Sequence, residues 1–176
     1  MRAKRIFLAG AIALGWHFSA TSLHAGVIAW TGGGDGVYWT NVNNWAGNVA
    51  PGPGDEALIT GVSTNTTILL GATVQVQTVQ CSASLNITNG NLTLTEGSSQ
   101  VTGTFTIASS QYLIVIGPGT MFAANGPANV DDGNFQISSG GLVTLPTLQN
   151  YNKNCNGAYW SVTGTNSVLD LSSRVT

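Results

Sequence analysis

Few residues in this chain are able to do chemistry, and most of them are acids. Asp55–Glu56 and Asp131–Asp132 are adjacent carboxylate pairs. Sugar hydrolysis uses two carboxyl groups facing one bond. Neighbours in an extended strand project to opposite faces, so neither pair is a ready dyad. The stretch "VDDGN" at 130–134 offers Asp131 and Asp132 as weak calcium ligands, but its composition suits an Asx turn better. Both histidines, His17 and His24, stand ahead of Ala25. Beyond them no imidazole can activate a nucleophile or hold zinc. "GGGDG" at 32–36 is not a phosphate loop, because no Lys-Ser/Thr follows and no helix begins there. Cys81 and Cys155 are the two thiols. No catalytic residue and no cofactor is expected.

The N-terminus sets the context for these groups. Arg2, Lys4 and Arg5 precede a mostly apolar run at 6–18, and a short polar stretch ends at Ala25. That is the pattern of a secretory signal peptide at 1–25. The apolar run is shorter than the ~20 residues a membrane span requires, so a retained anchor is the alternative reading. After cleavage Lys153 and Arg174 face seven acids, two bases against seven giving −5. Nucleic acid needs many more cationic contacts, and anionic lipid needs a basic cluster. The expectation is a secreted or cell-surface protein with no nucleic-acid partner and no membrane insertion once the signal is removed.

Apolar residues after position 25 alternate with polar ones, as in "TVQVQTV" and "NLTL", which is the period of strands. Four segments look related: those beginning at Leu85, Phe105, Phe135 and Trp160. Each opens with two large apolar residues two apart, then a four-residue polar turn, then a second apolar strand. Loops of varying length between stacked strands are typical of solenoids. The fold expected is all-β, a right-handed parallel β-helix in which Leu85, Phe105, Phe135 and Trp160 form one internal ladder. An antiparallel β-sandwich is the alternative, with "TNGN" at 88–91 as a hairpin turn.

Residues 26–56 hold Trp30, Trp39 and Trp45 among many glycines, ahead of coils expected at 57–176. The end of a β-helix exposes apolar interior and unpaired backbone. Three large rings can cover it, Pro51, Gly52, Pro53 and Gly54 make a rigid bend before the first strand, and Gly54 and Asp55 are counted with the cap. Exposed, the same rings would make a platform for sugars; the cap is the preferred reading.

The order Trp30, Trp39, Asn44–Trp45, Pro51, Gly54–Asp55 and Ile59 resembles the N-terminal segment of large bacterial cell-surface β-helix proteins, including autotransporter-type passengers and related repeat-rich extracellular proteins. The resemblance is sharp from Trp30 to Ile59 and extends beyond it only in style. It implies a surface or secreted solenoid and no particular activity, since that family includes adhesins, scaffolds and some passengers with enzyme domains. It implies surface glycans or other cell-surface proteins as partners. The polysaccharide-degrading β-helix enzymes use clustered acids with basic residues, and one Lys and one Arg do not supply these. A Thr-x-Thr run at Thr102, Thr104 and Thr106 is of the ice-binding kind but does not recur.

Export permits a disulfide between Cys81 and Cys155. Three steps of ~4.8 Å between coils would hold them ~14 Å apart, against the ~7 Å limit on Cα separation. A bridge therefore needs residues 146–159 to double back as a loop; two free thiols are the other outcome. Asn65, Asn86 and Asn91 lie in N-x-S/T sequons, relevant only where the host glycosylates its exports. The chain stops soon after a strand-like segment, so the coils are expected to continue in a longer parent; a short protein capped by dimerisation is the alternative. The functional expectation is a non-catalytic adhesin or structural stalk. A carbohydrate-binding module or a fragment of a polysaccharide lyase or hydrolase is the alternative, and a membrane-anchored structural protein a third.

Overall fold

A computed structural model describes residues 26–152 and 159–172. The expected signal peptide, together with Lys153, Cys155 and Arg174, lies outside the described residues. The chain is a parallel β-solenoid of about five turns.

A short strand β1 (Val27–Ala29) comes first, followed by two 3-10 turns at Val42–Asn44 and Ala46–Asn48. Three-strand coils then repeat. The first is β2 (Glu56–Ile59), β3 (Thr67–Leu70) and β4 (Val74–Val76). The second is β5 (Thr78–Cys81), β6 (Ser84–Ile87) and β7 (Asn91–Leu94). The third is β8 (Ser98–Val101), β9 (Phe105–Ile107) and β10 (Tyr112–Ile116). The fourth is β11 (Met121–Ala124), β12 (Ala128–Asp131) and β13 (Asn134–Ser138). The fifth is β14 (Leu142–Thr144), β15 (Leu148–Asn152) and β16 (Trp160–Thr163), and β17 (Val168–Asp170) begins another circuit.

Stacking these coils builds three sheets. The first runs β1-β2-β5-β8-β11-β14-β17, the second β3-β6-β9-β12-β15 and the third β4-β7-β10-β13-β16. Every strand pairing in them is parallel, which excludes the sandwich. "TNGN" is the corner between β6 and β7, which lie in different sheets, and not a hairpin. Alternation does the rest: along each strand every second side chain points inward and meets its counterparts directly above and below. Ile59, Cys81, Val101 and Ala124 are one such column, and Leu70, Ile87, Ile107 and Val130 another, all buried.

The single ladder of Leu85, Phe105, Phe135 and Trp160 is not formed. Leu85 stacks on Phe105 in the second sheet, where Ala128 follows. Phe135 stacks on Trp160 in the third sheet, above Leu113. Two features account for the difference. The third-to-first-sheet corner after Phe135 ("SSGG", 138–141) has the composition of the second-to-third-sheet corners ("TNGN", "ASSQ"), so the apparent repeat slips by one side of the coil. Ala128 also gives no large apolar signal. It fits because the rings of Phe105 and Phe122 meet across the interior, centroids 4.7 Å apart, and fill the space a larger residue would take.

The corners between the first and second sheets stack Ala83, Gly103 and Gly126. A Cβ on Gly103 would lie 2.4 Å from the carbonyl carbon and oxygen of Ala83, and one on Gly126 2.3 Å from the Gly103 carbonyl oxygen. Glycine here permits coil-on-coil approach. Among the described residues no helix is long and apolar enough to cross a membrane.

Candidate functional site

The N-terminal end is sealed by residues 26–56. β1 extends the first sheet, Trp30 N donating to the Leu58 carbonyl at 2.8 Å. Tyr38 bridges to Leu69 on the edge of the second sheet, with Leu69 N donating to the Val37 carbonyl and Trp39 N to the Leu69 carbonyl. Two sheets thus have their first edges covered. Trp30, Trp39 and Trp45 are buried in one cluster with Ala57, Ile59, Ile68 and Leu70 of the first coil. Trp45 sits between the other two rings, with centroids 4.9 Å from Trp30 and 4.8 Å from Trp39, both edge-on. Its Nε1 donates to the Trp39 carbonyl at 2.7 Å, whereas the Trp39 Nε1 is buried without a partner. Rings this enclosed are not a sugar platform.

The glycine-rich segment folds around two polar side chains. Asn44 is fully buried; its Oδ1 accepts from Gly34 N and Gly36 N, and its Nδ2 donates to Asp35 Oδ1 and the Tyr38 carbonyl. Asp35 Oδ1 also accepts from Val37 N and Tyr38 N, and Oδ2 from Asn41 Nδ2 at 2.7 Å. The Asn41 side chain, then the Tyr38 amide and the Asn44 side chain, hold the Asp35 carboxyl well below its ordinary range. A Cβ on Gly34 would stand 2.8 Å from both Asn41 Nδ2 and Asn44 Oδ1. "GGGDG" is therefore the shell of an Asn–Asp network in which Asn44 is buried and Asp35 exposed. Asp35 and Asn41 were not singled out from the sequence. Their signal is an acid two and three residues ahead of backbone donors, the spacing of an Asx turn. Asp55 closes the second turn: its carboxylate accepts from Gly26 N and Gly52 N, with Gly54 in the left-handed region at φ +93. So engaged, it forms no dyad with Glu56.

Asp131 and Asp132 diverge. Asp131 is on the outer face of β12, whereas Asp132 is buried at the corner, its backbone left-handed at φ +54. Asp132 Oδ2 accepts from Ser109 Oγ at 3.3 Å, and Oδ1 has no partner. The geometry is that of a corner turn. Among the described residues no three His, Cys, Asp or Glu side chains come together to hold a metal ion.

Cys81 carries a free thiol in the interior, stacked between Ile59 and Val101. Sγ donates to the Ala83 carbonyl at 3.3 Å, and burial pushes the thiol up to about 12. Of the loop expected at 146–159, Leu148–Asn152 form strand β15, and Cys155 lies outside the described residues. Of the sequon asparagines, Asn65 is exposed, Asn86 half-buried, and Asn91 occupied in accepting from Tyr112 N.

The outer face of the second sheet carries a register-aligned column: Tyr38, Leu69, Asn86, Thr106, Asn129 and Asn150. Steps in such a column are ~4.8 Å. Asn150 Nδ2 donates to Asn129 Oδ1 at 2.8 Å. Asn129, Val130, Asp131 and Asn150 line an open depression of about 470 Å3. The described residues contain no Lys, Arg or His, so among them the polar groups of this surface are amides, hydroxyls and carboxylates.

Comparison with protein-family models, with curated proteins and with solved structures returned no match. The class defined by fold and site is an N-terminally capped parallel β-solenoid.

Proposed function

We propose that the chain is a non-catalytic extracellular or cell-surface β-solenoid that serves in adhesion, with neutral surface glycans as its contact. The observation that carries this reading is the column of amide and hydroxyl side chains on the second sheet, opening into the depression beside Asn129 and Asn150. Amides that donate and accept from fixed, repeating positions suit the hydroxyl groups of a neutral sugar chain. The export-type segment at 1–25 supports a location outside the cell.

Two measurements test the reading. Fractionation with N-terminal sequencing should find the protein outside the cytoplasm and beginning at Gly26. A glycan array should show binding to neutral glycans that Asn129→Ala and Asn150→Ala each weaken at least threefold. Cytoplasmic, unprocessed protein would refute the location. Binding unaffected by both variants would refute the surface, and release of sugar products from a polysaccharide would replace adhesion with the enzyme reading.

A further inference from the structure

The corner between β6 and β7 contains the step Asn89–Gly90, with Asn89 exposed. Such a step is chemically labile. Glycine has no Cβ to hinder its backbone nitrogen from attacking the side-chain amide carbon before it. Ring closure here requires Gly90 N to meet Asn89 Cγ, and the coil stack holds the two groups apart. Asn89 Nδ2 donates to the Gly71 carbonyl at 3.4 Å, in the first coil. Gly90 N donates to Gln111 Oε1, in the third coil. Gln111 is fixed in turn, its Nε2 donating to the Ser109 carbonyl at 3.0 Å. The electrophile is therefore drawn toward one neighbouring coil and the nucleophile toward the other. The main chain has little freedom to close the gap. Thr88 N and Asn89 N both donate to the Leu70 carbonyl, and a Cβ on Gly90 would overlap the Ala72–Thr73 peptide.

Asn125–Gly126, in the corner after β11, is the other Asn–Gly step among the described residues, and Asn125 is also exposed. Its surroundings differ. Asn125 Nδ2 approaches only Gln100 Oε1, at 3.5 Å, the long limit of a hydrogen bond. Among the described residues no side chain accepts from Gly126 N. That corner is confined by packing on Gly103 and not by a clamp on its nitrogen.

We propose that Asn89 is a latent modification site, kept from spontaneous deamidation by Gln111, and that Asn125 is the step the folded chain leaves more open to the same reaction. The only co-reactant is water. Gly90 N gives up its proton and bonds to Asn89 Cγ; the Cγ–Nδ2 bond breaks and ammonia leaves, forming a succinimide. Water then opens the ring. Cleavage of the new N–Cγ bond gives aspartate. Cleavage of the original peptide bond gives isoaspartate, whose main chain runs through Cβ and Cγ. Neither route oxidises or reduces anything. Isoaspartate lengthens the main chain by one carbon, and a corner packed this closely on Ala72 and Thr73 has no space for it. A molecule modified in this way at position 89 cannot rebuild the native stack, so the modification records a local opening of the second and third coils.

Peptide mapping by mass spectrometry, on protein kept at pH 8 and 37 °C either native or in urea, reads both steps in one molecule. Each native rate is compared with the rate of the same step in urea. Asn89 should convert at least tenfold more slowly in the native protein, and the slowing at Asn125 should be smaller by at least threefold. Gln111→Met keeps the bulk of the side chain and removes the acceptor. It should speed native conversion of Asn89 at least fivefold and leave Asn125 unchanged, with the β circular dichroism retained. A general loosening of the fold would instead speed both steps, so Asn125 is the control within the same chain. The native-against-urea comparison on the unsubstituted protein decides the matter where the variant fails to fold. Native conversion of Asn89 as fast as in urea, equal slowing at the two steps, or a Gln111→Met variant that leaves Asn89 unchanged or speeds both alike would each overturn the proposal.

Discussion

The tryptophan cluster makes a sharp comparison possible, because two equally buried indoles differ in one hydrogen bond. Trp39 and Trp45 are each 1% exposed. Converting either to Phe removes the same atoms, so the cavity terms are similar. Trp45→Phe also removes the donor to the Trp39 carbonyl and leaves that buried acceptor unpaired, which costs about 1–3 kcal/mol. It disturbs two edge-on ring contacts where Trp39→Phe disturbs one. Trp39→Phe deletes a buried N–H that has no partner and so relieves a desolvation cost of similar size. Trp45→Phe should therefore be about 2–4 kcal/mol the less stable of the two. In a domain of this length that is roughly a 5–10 °C lower midpoint. Thermal and urea melts followed by far-UV circular dichroism read the difference without relying on tryptophan emission. Solenoids need not unfold in one step, so the cap effect belongs to the first transition. If Trp39→Phe proves as costly as Trp45→Phe, or costlier, this account of the cap is wrong.

Other features give independent outcomes. Gly103→Ala drives a Cβ into the Ala83 backbone and should destabilise by ~2–3 kcal/mol, whereas Gly61→Ala, in open space at a left-handed turn, should cost ~1 kcal/mol; urea midpoints compare them. Asp35 has a folded pKa depressed below its ordinary 3.8, so its contribution is present above that value and lost as pH falls through the folded pKa. Melts from pH 5 to pH 2 should show the cap loosening toward acid, with a flatter profile in Asp35→Asn, whose amide would face the Asn41 amide. In a Cys155→Ser background Cys81 should react with a disulfide reagent at least a hundredfold more slowly in native protein than in urea, because its thiol is enclosed and pushed up to about 12. Fast native labelling would contradict its place in the interior column.

Sequence alone determined that the chain is all-β and made stacked coils the preferred reading, through alternation, Gly- and Asn-rich corners and scarce charge. The sandwich was excluded only by the parallel pairing of the strands. The position of the tryptophans ahead of the first alternating strand likewise made the cap legible. Tertiary structure decided the phase of the repeat. Corners of like composition occur on more than one side of a coil, so local sequence does not tell a second-to-third turn from a third-to-first one. Only stacking distinguishes them, and that depends on volumes summed across the interior, as where Phe105 and Phe122 leave room for Ala128. The same holds for Asp35 and Asn44, whose hydrogen bonds join residues brought together by turns. It holds too for Cys81, whose neighbours Ile59 and Val101 are far from it along the chain and one coil away in space. Periodicity is a local property and is written in the chain; register is a property of neighbours, fixed when one coil closes over the next.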